Sequence, residues 1–143
     1  MEKTKREKTP SVLPAVFGIG GIGYNLLELL WRGRTHWSMT VAGGLCLCIL
    51  YGIHRVLPAR HRTVRYFLSA ISITAVELAV GCVVNLWWKL GVWDYGDRPF
   101  NLLGQICLLY SGIWLLISVP CDVLCGKMEK IFVRGRLSGE NPV

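Results

Sequence analysis

Four apolar blocks fill almost all of the sequence between Val12 and Leu124. Each block is 17 to 25 residues long, which is the length that an α-helix needs to cross a hydrocarbon layer about 30 Å thick. The blocks are Val12–Trp31, Trp37–Ile53, Tyr66–Leu90 and Asn101–Leu124. We therefore predict an all-α, polytopic membrane protein: a bundle of four transmembrane helices that is made of two hairpins.

The basic residues are distributed unevenly between the segments that flank these blocks. Of the 16 Lys and Arg residues, 12 lie in the two tails and the second loop, and 4 lie in the first and third loops. The side that is richer in Lys and Arg is normally cytoplasmic, so we expect a multi-pass protein with both termini in the cytoplasm. The predicted parts are a basic tail (1–11), a transmembrane domain (12–125) and a polar tail (126–143). Because the +7 net charge flanks membrane spans and forms no basic face, we expect no nucleic-acid partner.

The two hairpins resemble each other in sequence. The stretch Gly44–Ile53 is similar to Gly104–Ile113 when one gap is allowed, and each hairpin has one Glu in its first helix, Glu28 or Glu77. This pattern predicts a tandem parallel repeat, related by an axis along the membrane normal. Chance similarity between apolar helices is the alternative interpretation.

The sequence contains few motifs of known chemistry. It has no Gly-x4-Gly-Lys-[Ser/Thr] phosphate loop, so it cannot drive a reaction by ATP hydrolysis on its own. Cys121 and Cys125 flank Asp122, but no His or second Cys pair accompanies them, and we predict neither a metal site nor a cofactor. Without a nucleophile, metal or nucleotide-binding motif, a non-enzymatic role is favoured.

Glu77 is the polar residue that most needs an explanation. It lies twelve residues into the 25-residue block Tyr66–Leu90, near the middle of the membrane, where a carboxylate costs roughly 2.5–3.5 kcal/mol. We expect it to be protonated or to hold a hydrogen bond or ion pair. Thr74, Gly81 and Asn85 follow the same helical face at spacings of 3 and 4, so this polar stripe should face the bundle interior.

Two further polar stripes have similar spacings. Asn101, Gln105 and Gly112 form one in the fourth block, and Gly21, Asn25 and Glu28 form one in the first. Two interpretations are open: a substrate or proton site, or hydrogen bonds that join the helices. Packing is favoured for the amides and a function for the mid-membrane carboxylate.

The loops between the helices of each hairpin carry further candidate residues. In the loop that begins at Trp93, Asp94 can pair with Arg98 across a turn that Gly96 permits, or with the arginines of the first loop. The result would be a rigid cap on the bundle. The stretch Arg32–His36 in the other loop is suited to binding an anion, although Arg pairs are common at membrane surfaces.

Two motifs resemble a known family. They are Glu77-x3-Gly81-x3-Asn85 and Trp93-Asp-Tyr-x3-Pro-Phe-Asn-Leu-x-Gly-Gln-Ile106, and the stretch Trp31–Ser38 followed by Gly43-Gly44 resembles a signature of one branch. Over most of residues 16–115 the sequence is similar to the small bacterial inner-membrane proteins of the ABC-transporter type IV (CmpB-like) family. Gly96 stands where many relatives have Ser.

The resemblance implies a permease subunit without its own ATPase, with a polar intramembrane site around Glu77. A separate ATPase would then dock on the cytoplasmic loop Arg55–Arg65 and the C-terminal tail, and a homo-oligomer is expected because four helices are few for a pore. The candidate substrate-binding residues are Glu28, Glu77, Asn85, Asp94, Arg98, Asn101 and Gln105. The alternative is a membrane-embedded enzyme, with the two carboxylates as an acid/base pair, or an accessory or sensor protein that acts on a lipid-soluble ligand.

Overall fold

The computed structural model describes residues 11–139, and the side chains of residues 11–135. Its four long helices are α1 (Leu13–Arg32), α2 (Trp37–Val56), α3 (Arg62–Gly81) and α4 (Leu108–Gly139). All four are long and apolar enough to cross a membrane, with α3 extended by its flanking turns to Ala59–Trp87. The predicted four-helix membrane bundle is confirmed. The predicted repeat and the predicted domain limits stay predictions.

The first hairpin is closed by a tight turn. α1 ends at Gly33, which has a φ of 67° and donates its backbone N–H to the carbonyl of Leu29. This left-handed conformation suits glycine because it has no Cβ. α2 begins at once, because the His36 side chain accepts the backbone N–H of Ser38 and so satisfies one of the free donors of the first turn.

α1 and α2 pack closely through glycines. A Cβ on Gly43 would lie 2.6 Å from the carbonyl oxygen of Gly20 and would collide with the Tyr24 side chain, and a Cβ on Gly21 would lie 2.8 Å from Cγ2 of Thr40. In lipid, where apolar surface gives little drive for association, such close backbone approach supplies the packing energy. These two helices therefore form one tight unit.

The remaining helices are arranged around α2. It packs against α3 and α4, which also pack against each other, whereas α1 hardly contacts α4. The core lies mainly between these three helices, and Val16 of α1 is also buried in it. From the other helices it includes Leu50, Tyr51, Ile73, Trp114 and Met128. The side between α1 and α4 is consequently left open along much of the bundle.

The fourth helix begins later than predicted. Asn101–Leu102 pairs antiparallel with Ile106–Cys107, and α4 starts only at Leu108. The turn between the two short strands places Leu103 and Gly104 at φ values of 54° and 68°. The prediction that Asn101 and Gln105 lie on a helix is wrong, because an apolar run does not by itself distinguish a helix from a short hairpin.

α4 also continues beyond the predicted end of its span at Leu124, as far as Gly139. Phe132 in this continuation packs edge-on against Tyr51 of α2, with 6.3 Å between the ring centroids, and Met128 is buried. The helix therefore continues because its core-facing side still finds apolar partners on α2.

The two ends of the bundle differ. The loop-rich end contains residues 33–36 and 88–107, and the arginine-rich end contains residues 54–65 and the part of α4 from Cys121 onward. α3 reaches the loop-rich end through a π-helical turn, Cys82–Trp87. Such turns often occur at functional sites.

Candidate functional site

Glu77 is buried in the bundle, with 6% of its surface exposed. Its Oε1 accepts a hydrogen bond from the Tyr95 hydroxyl at 3.0 Å, and its Oε2 accepts one from Nε1 of Trp114 at 2.8 Å. Both donors are neutral, and among the described residues no Lys, Arg or His pairs with this carboxylate. The expected hydrogen-bond partners are present, but sequence reasoning had not identified them as Tyr95 and Trp114.

Tyr95 reaches Glu77 because the loop-rich end holds it from two sides. Its backbone N–H donates to the carbonyl of Gly104 at 2.7 Å, and its ring stacks on Tyr110 of α4 with centroids 4.6 Å apart and planes 15° apart. Burial raises the pKa of Tyr95 above its ordinary value, and the nearby Glu77 carboxylate raises it further. Tyr95 therefore stays protonated and acts as a donor.

The polar stripe that begins on α3 faces the bundle interior, as predicted, and it meets Gln105 but not Asn101. Thr74 donates to the Ser111 hydroxyl at 3.2 Å, and the Asn85 amide donates to Oε1 of Gln105 at 2.8 Å. Gly81 lies against Gln105, where a Cβ would be 2.6 Å from Oε1. The structure thus brings Asn85 and Gln105 together, although Gln105 comes from the turn before α4.

Three other candidate residues lie outside this cluster. Asp94 is exposed, and its Oδ1 accepts the backbone N–H of Gly96 at 2.8 Å. The predicted ion pair of Asp94 with Arg98 or with a first-loop arginine is wrong, because this local turn holds the carboxylate. The acidic group near Arg98 is Asp97, at 3.9 Å. Asn101 is exposed as well and bonds only to loop backbone, accepting the N–H of Gly104 at 3.1 Å.

Glu28 pairs with Arg32 one turn later on α1. Nε of Arg32 donates to Oε2 of Glu28 at 2.7 Å, and Nη2 contacts the same oxygen. The remaining nitrogen, Nη1, donates to the carbonyl of Val92 at 3.3 Å. This ion pair therefore ties α1 to the loop that holds Tyr95.

A cavity of about 210 Å³ lies beside Glu77 on the open side between α1 and α4. Five aromatic side chains line it, and we call it the aromatic cavity: Tyr24, Trp31, Tyr95, Tyr110 and Trp114. Glu28 and Arg32 lie on its wall as well. Since Tyr95 and Trp114 also donate to Glu77, the aromatic wall separates the cavity from the carboxylate and contacts both.

Comparison with known proteins agrees with this architecture. The family model described as "Putative ABC-transporter type IV" matches residues 16–133. The chain belongs to this family. No curated protein and no solved structure matches the chain. Family membership and the four apolar helices together make it a multi-pass membrane protein related to transport.

The region matched by the ABC-transporter type IV family also contains a buried cluster at the arginine-rich end. Nη2 of Arg65 (α3) donates to Oδ2 of Asp122 (α4) at 2.8 Å, and Nδ1 of His54 (α2) lies 2.7 Å from Oδ1 of Asp122. Arg65 is 5% exposed, and its Nε is buried without a hydrogen-bond partner. This cluster therefore joins α2, α3 and α4.

Sequence reasoning missed the cluster because these residues were assigned other roles. By sequence, Arg65 belongs to a loop whose charges indicate topology, and Asp122 stands between two cysteines. The available signal was an acidic residue inside the apolar part of α4, which needs a partner just as Glu77 does. Within residues 11–139, no group of three His, Cys, Asp or Glu side chains is arranged to hold a metal.

Proposed function

We propose that the protein is the membrane-spanning permease subunit of a transport system whose ATPase is a separate protein. A ligand would reach it from the bilayer, through the aromatic cavity on the open side between α1 and α4. The observation that carries this proposal is the pair of hydrogen bonds that connects the cavity wall, through Tyr95 and Trp114, to the buried Glu77.

The chemistry of Glu77 supports a functional role. A buried carboxylate with two neutral donors has its hydrogen bonds satisfied, but its charge is not balanced by a cation. A ligand that displaced either ring would remove a donor from the carboxylate, so that ligand binding and the protonation of Glu77 would be coupled. Buried carboxylates within membrane spans mark substrate pathways and proton relays in transporters.

The cavity also suits a ligand from the bilayer. Its lining is mostly apolar, with aromatic and aliphatic side chains, which is typical of sites that bind an apolar body. Its charged groups are confined to Glu28 and Arg32 on the wall. A second cavity of about 220 Å³ continues along the same open side past Gly20, Cys46 and Leu124. Together the two cavities give an apolar ligand a path between α1 and α4.

The charge distribution supports the orientation and the partner. The arginine-rich end carries exposed Arg55 and Arg60, and α4 continues there with Lys127 and Lys130. We place this end in the cytoplasm by the positive-inside rule, with the ATPase docked on it. A homo-oligomer would complete the pathway, since one copy leaves the side between α1 and α4 open to lipid.

The test is whether the cavity holds a ligand. The protein is extracted into native-lipid particles, and native mass spectrometry measures the bound small molecules. Ile113→Trp places a larger side chain in the aromatic cavity, and we expect it to remove a ligand that the wild type retains. Leu116→Trp is the matched control, because Leu116 is 72% exposed on the same helix.

The outcomes separate the two classes of function. Identical bound molecules in the wild type and in both variants would contradict a ligand site in the cavity. A bound molecule that the purified protein converts into another compound would favour the membrane-embedded enzyme. An unchanged ligand, together with an ATPase that co-purifies in stoichiometric amount, is the result expected for a permease subunit.

A further inference from the structure

A smaller cavity of about 190 Å³ lies at the loop-rich end, next to the aromatic cavity. Its lining combines the first loop with the backbone around Gly91: Arg32, Arg34, Thr35, His36, Leu90, Gly91 and Val92. We call it the basic cavity. Neither the ligand path proposed above nor the hydrogen bonds around Glu77 involve this cavity.

The basic cavity has hydrogen-bond donors that the fold leaves available. Nδ1 of His36 accepts the backbone N–H of Ser38 at 3.3 Å and lies 2.8 Å from the Ser38 hydroxyl. Because Nδ1 is the acceptor, the ring hydrogen is on Nε2, which is then a donor. Arg34 is exposed and makes no hydrogen bond or ion pair with any other residue in the described part of the chain.

The charge of the basic cavity favours an anion. Glu28 balances Arg32 through Nε and Nη2, and Nη1 of Arg32 has one contact, to the Val92 carbonyl at 3.3 Å. The guanidinium of Arg34 stays unbalanced, so the lining carries a net positive charge. A planar guanidinium beside an imidazole N–H matches the oxygens of a phosphate or a carboxylate.

Arg32 lies in the walls of both cavities. Each cavity alone is smaller than the roughly 300–1,000 Å³ of typical ligand sites, whereas the two together fall within that range. One is lined by aromatic rings and the other by cationic and polar groups. Two adjacent cavities of opposite character fit a molecule that itself has an apolar part and an anionic part.

We propose that the two cavities form one site for an anionic amphiphile. Its phosphate or carboxylate group lies on Arg34 and His36 in the basic cavity, and its apolar part lies among the rings of the aromatic cavity. This inference rests on the proposed function for its use of the aromatic cavity. It adds the chemical class of the substrate: a lipid-like anion, rather than an inorganic ion or a neutral lipid.

The test compares probes that differ only in their headgroup. Full-length protein in nanodiscs of phosphatidylcholine is titrated with tritiated dodecyl phosphate and with tritiated dodecanol, and saturable binding is counted. We expect the phosphate ester to bind about tenfold more tightly than the alcohol, as one charge-assisted contact allows. Inorganic phosphate should compete only weakly, because it has no apolar part.

Two variants remove the headgroup contacts and leave the fold intact. Arg34→Gln removes the unbalanced charge from an exposed loop position. His36→Asn keeps a side chain that caps α2 but loses the Nε2 donor. Each should bring the affinity for dodecyl phosphate close to that for dodecanol. Arg98→Gln is the control, because Arg98 is an exposed arginine of the loop-rich end that does not line the cavity.

The remaining outcomes identify which inference fails. The wild type could bind the two probes with equal affinity, and Ile113→Trp could block the binding of both. That result would contradict recognition of an anionic headgroup and would leave the proposed function of the aromatic cavity standing. Binding of both probes that Ile113→Trp does not reduce would contradict the cavity itself. An equal loss in Arg34→Gln and Arg98→Gln would show only general surface attraction, and inorganic phosphate that competes as strongly as dodecyl phosphate would show a site for free anions. Either of these last two results would overturn the proposal that the two cavities bind an anionic amphiphile.

Discussion

Glu77 and Asp122 both lie between helices of the bundle, and their carboxylates are stabilised in different ways. Asp122, at the arginine-rich end, is 13% exposed at its side chain and pairs with Arg65 and His54. Glu77, nearer the loop-rich end, is held by the neutral donors Tyr95 and Trp114. The first arrangement pairs the carboxylate with a cation, whereas the second supplies hydrogen bonds and no cation.

The difference suggests a different role for each end. A carboxylate with a buried arginine partner is part of a structural ion pair, because removing either side chain would leave the other charge uncompensated. A carboxylate with neutral donors keeps at least one acceptor oxygen in either protonation state. The arginine-rich end is therefore suited to joining helices. Glu77, with its donors Tyr95 and Trp114, is suited to the change of protonation state that the proposed transport function would use.

The largest effect should follow from Asp122→Ala. The change leaves Arg65 buried without its partner, and its Nε already has none, so we expect a loss of about 3–5 kcal/mol in unfolding free energy. Thermal unfolding in detergent, followed by circular dichroism, measures it. The double variant Arg65→Met, Asp122→Leu removes both charges and should recover most of the loss. If it does not, the pair is not the main interaction there.

A smaller effect on stability, and a larger one on function, is expected at Glu77. Glu77→Gln keeps one oxygen for Trp114 and can donate to the Tyr95 hydroxyl, so its unfolding free energy should change by less than about 1 kcal/mol. Glu77→Leu leaves both donors buried and unpaired and should cost about 1–3 kcal/mol. Thermal unfolding of the two variants side by side tests this order.

The functional half of the Glu77 prediction separates a transport site from a structural contact. Glutamine cannot exchange a proton. Glu77→Gln should therefore abolish ligand transport and leave the protein folded. Uptake or release of the ligand found in native-lipid particles is the measurement. Full activity in Glu77→Gln would limit Glu77 to packing and would make the two carboxylates alike in function.

The sequence predicts the helical face on which Glu77 lies, but it predicts little about the surroundings of Asp122. The spacing of Thr74, Glu77, Gly81 and Asn85 on one helical face needs only helix geometry, and the contacts of Thr74, Glu77 and Asn85 agree with it. The partners of Glu77 depend on how a loop folds back over the bundle. That placement arises from tertiary contacts such as the stacking of Tyr95 on Tyr110, which no periodicity encodes.

The late start of α4 was not predicted for a related reason. Asn101 bonds to the backbone of its own loop, donating to the Arg98 carbonyl at 2.8 Å. Such local bonds of asparagine favour turns over helices, but the apolar neighbours Leu102 and Leu103 masked the signal. Arg65 and Asp122 come from different helices, and their pairing depends on helix packing, which the charge count does not describe.

The smallest expected effect concerns a third polar contact, between Thr74 and Ser111. Its hydroxyls lie 3.2 Å apart in a groove between α3 and α4 and carry no charge. Interhelical hydrogen bonds of this kind average about 0.6 kcal/mol in membranes. A double-mutant cycle of Thr74→Val and Ser111→Ala, read by thermal unfolding, should give a coupling of about that size. A coupling as large as the effect of Asp122→Ala would show that charge balance is not what separates the two ends of the bundle.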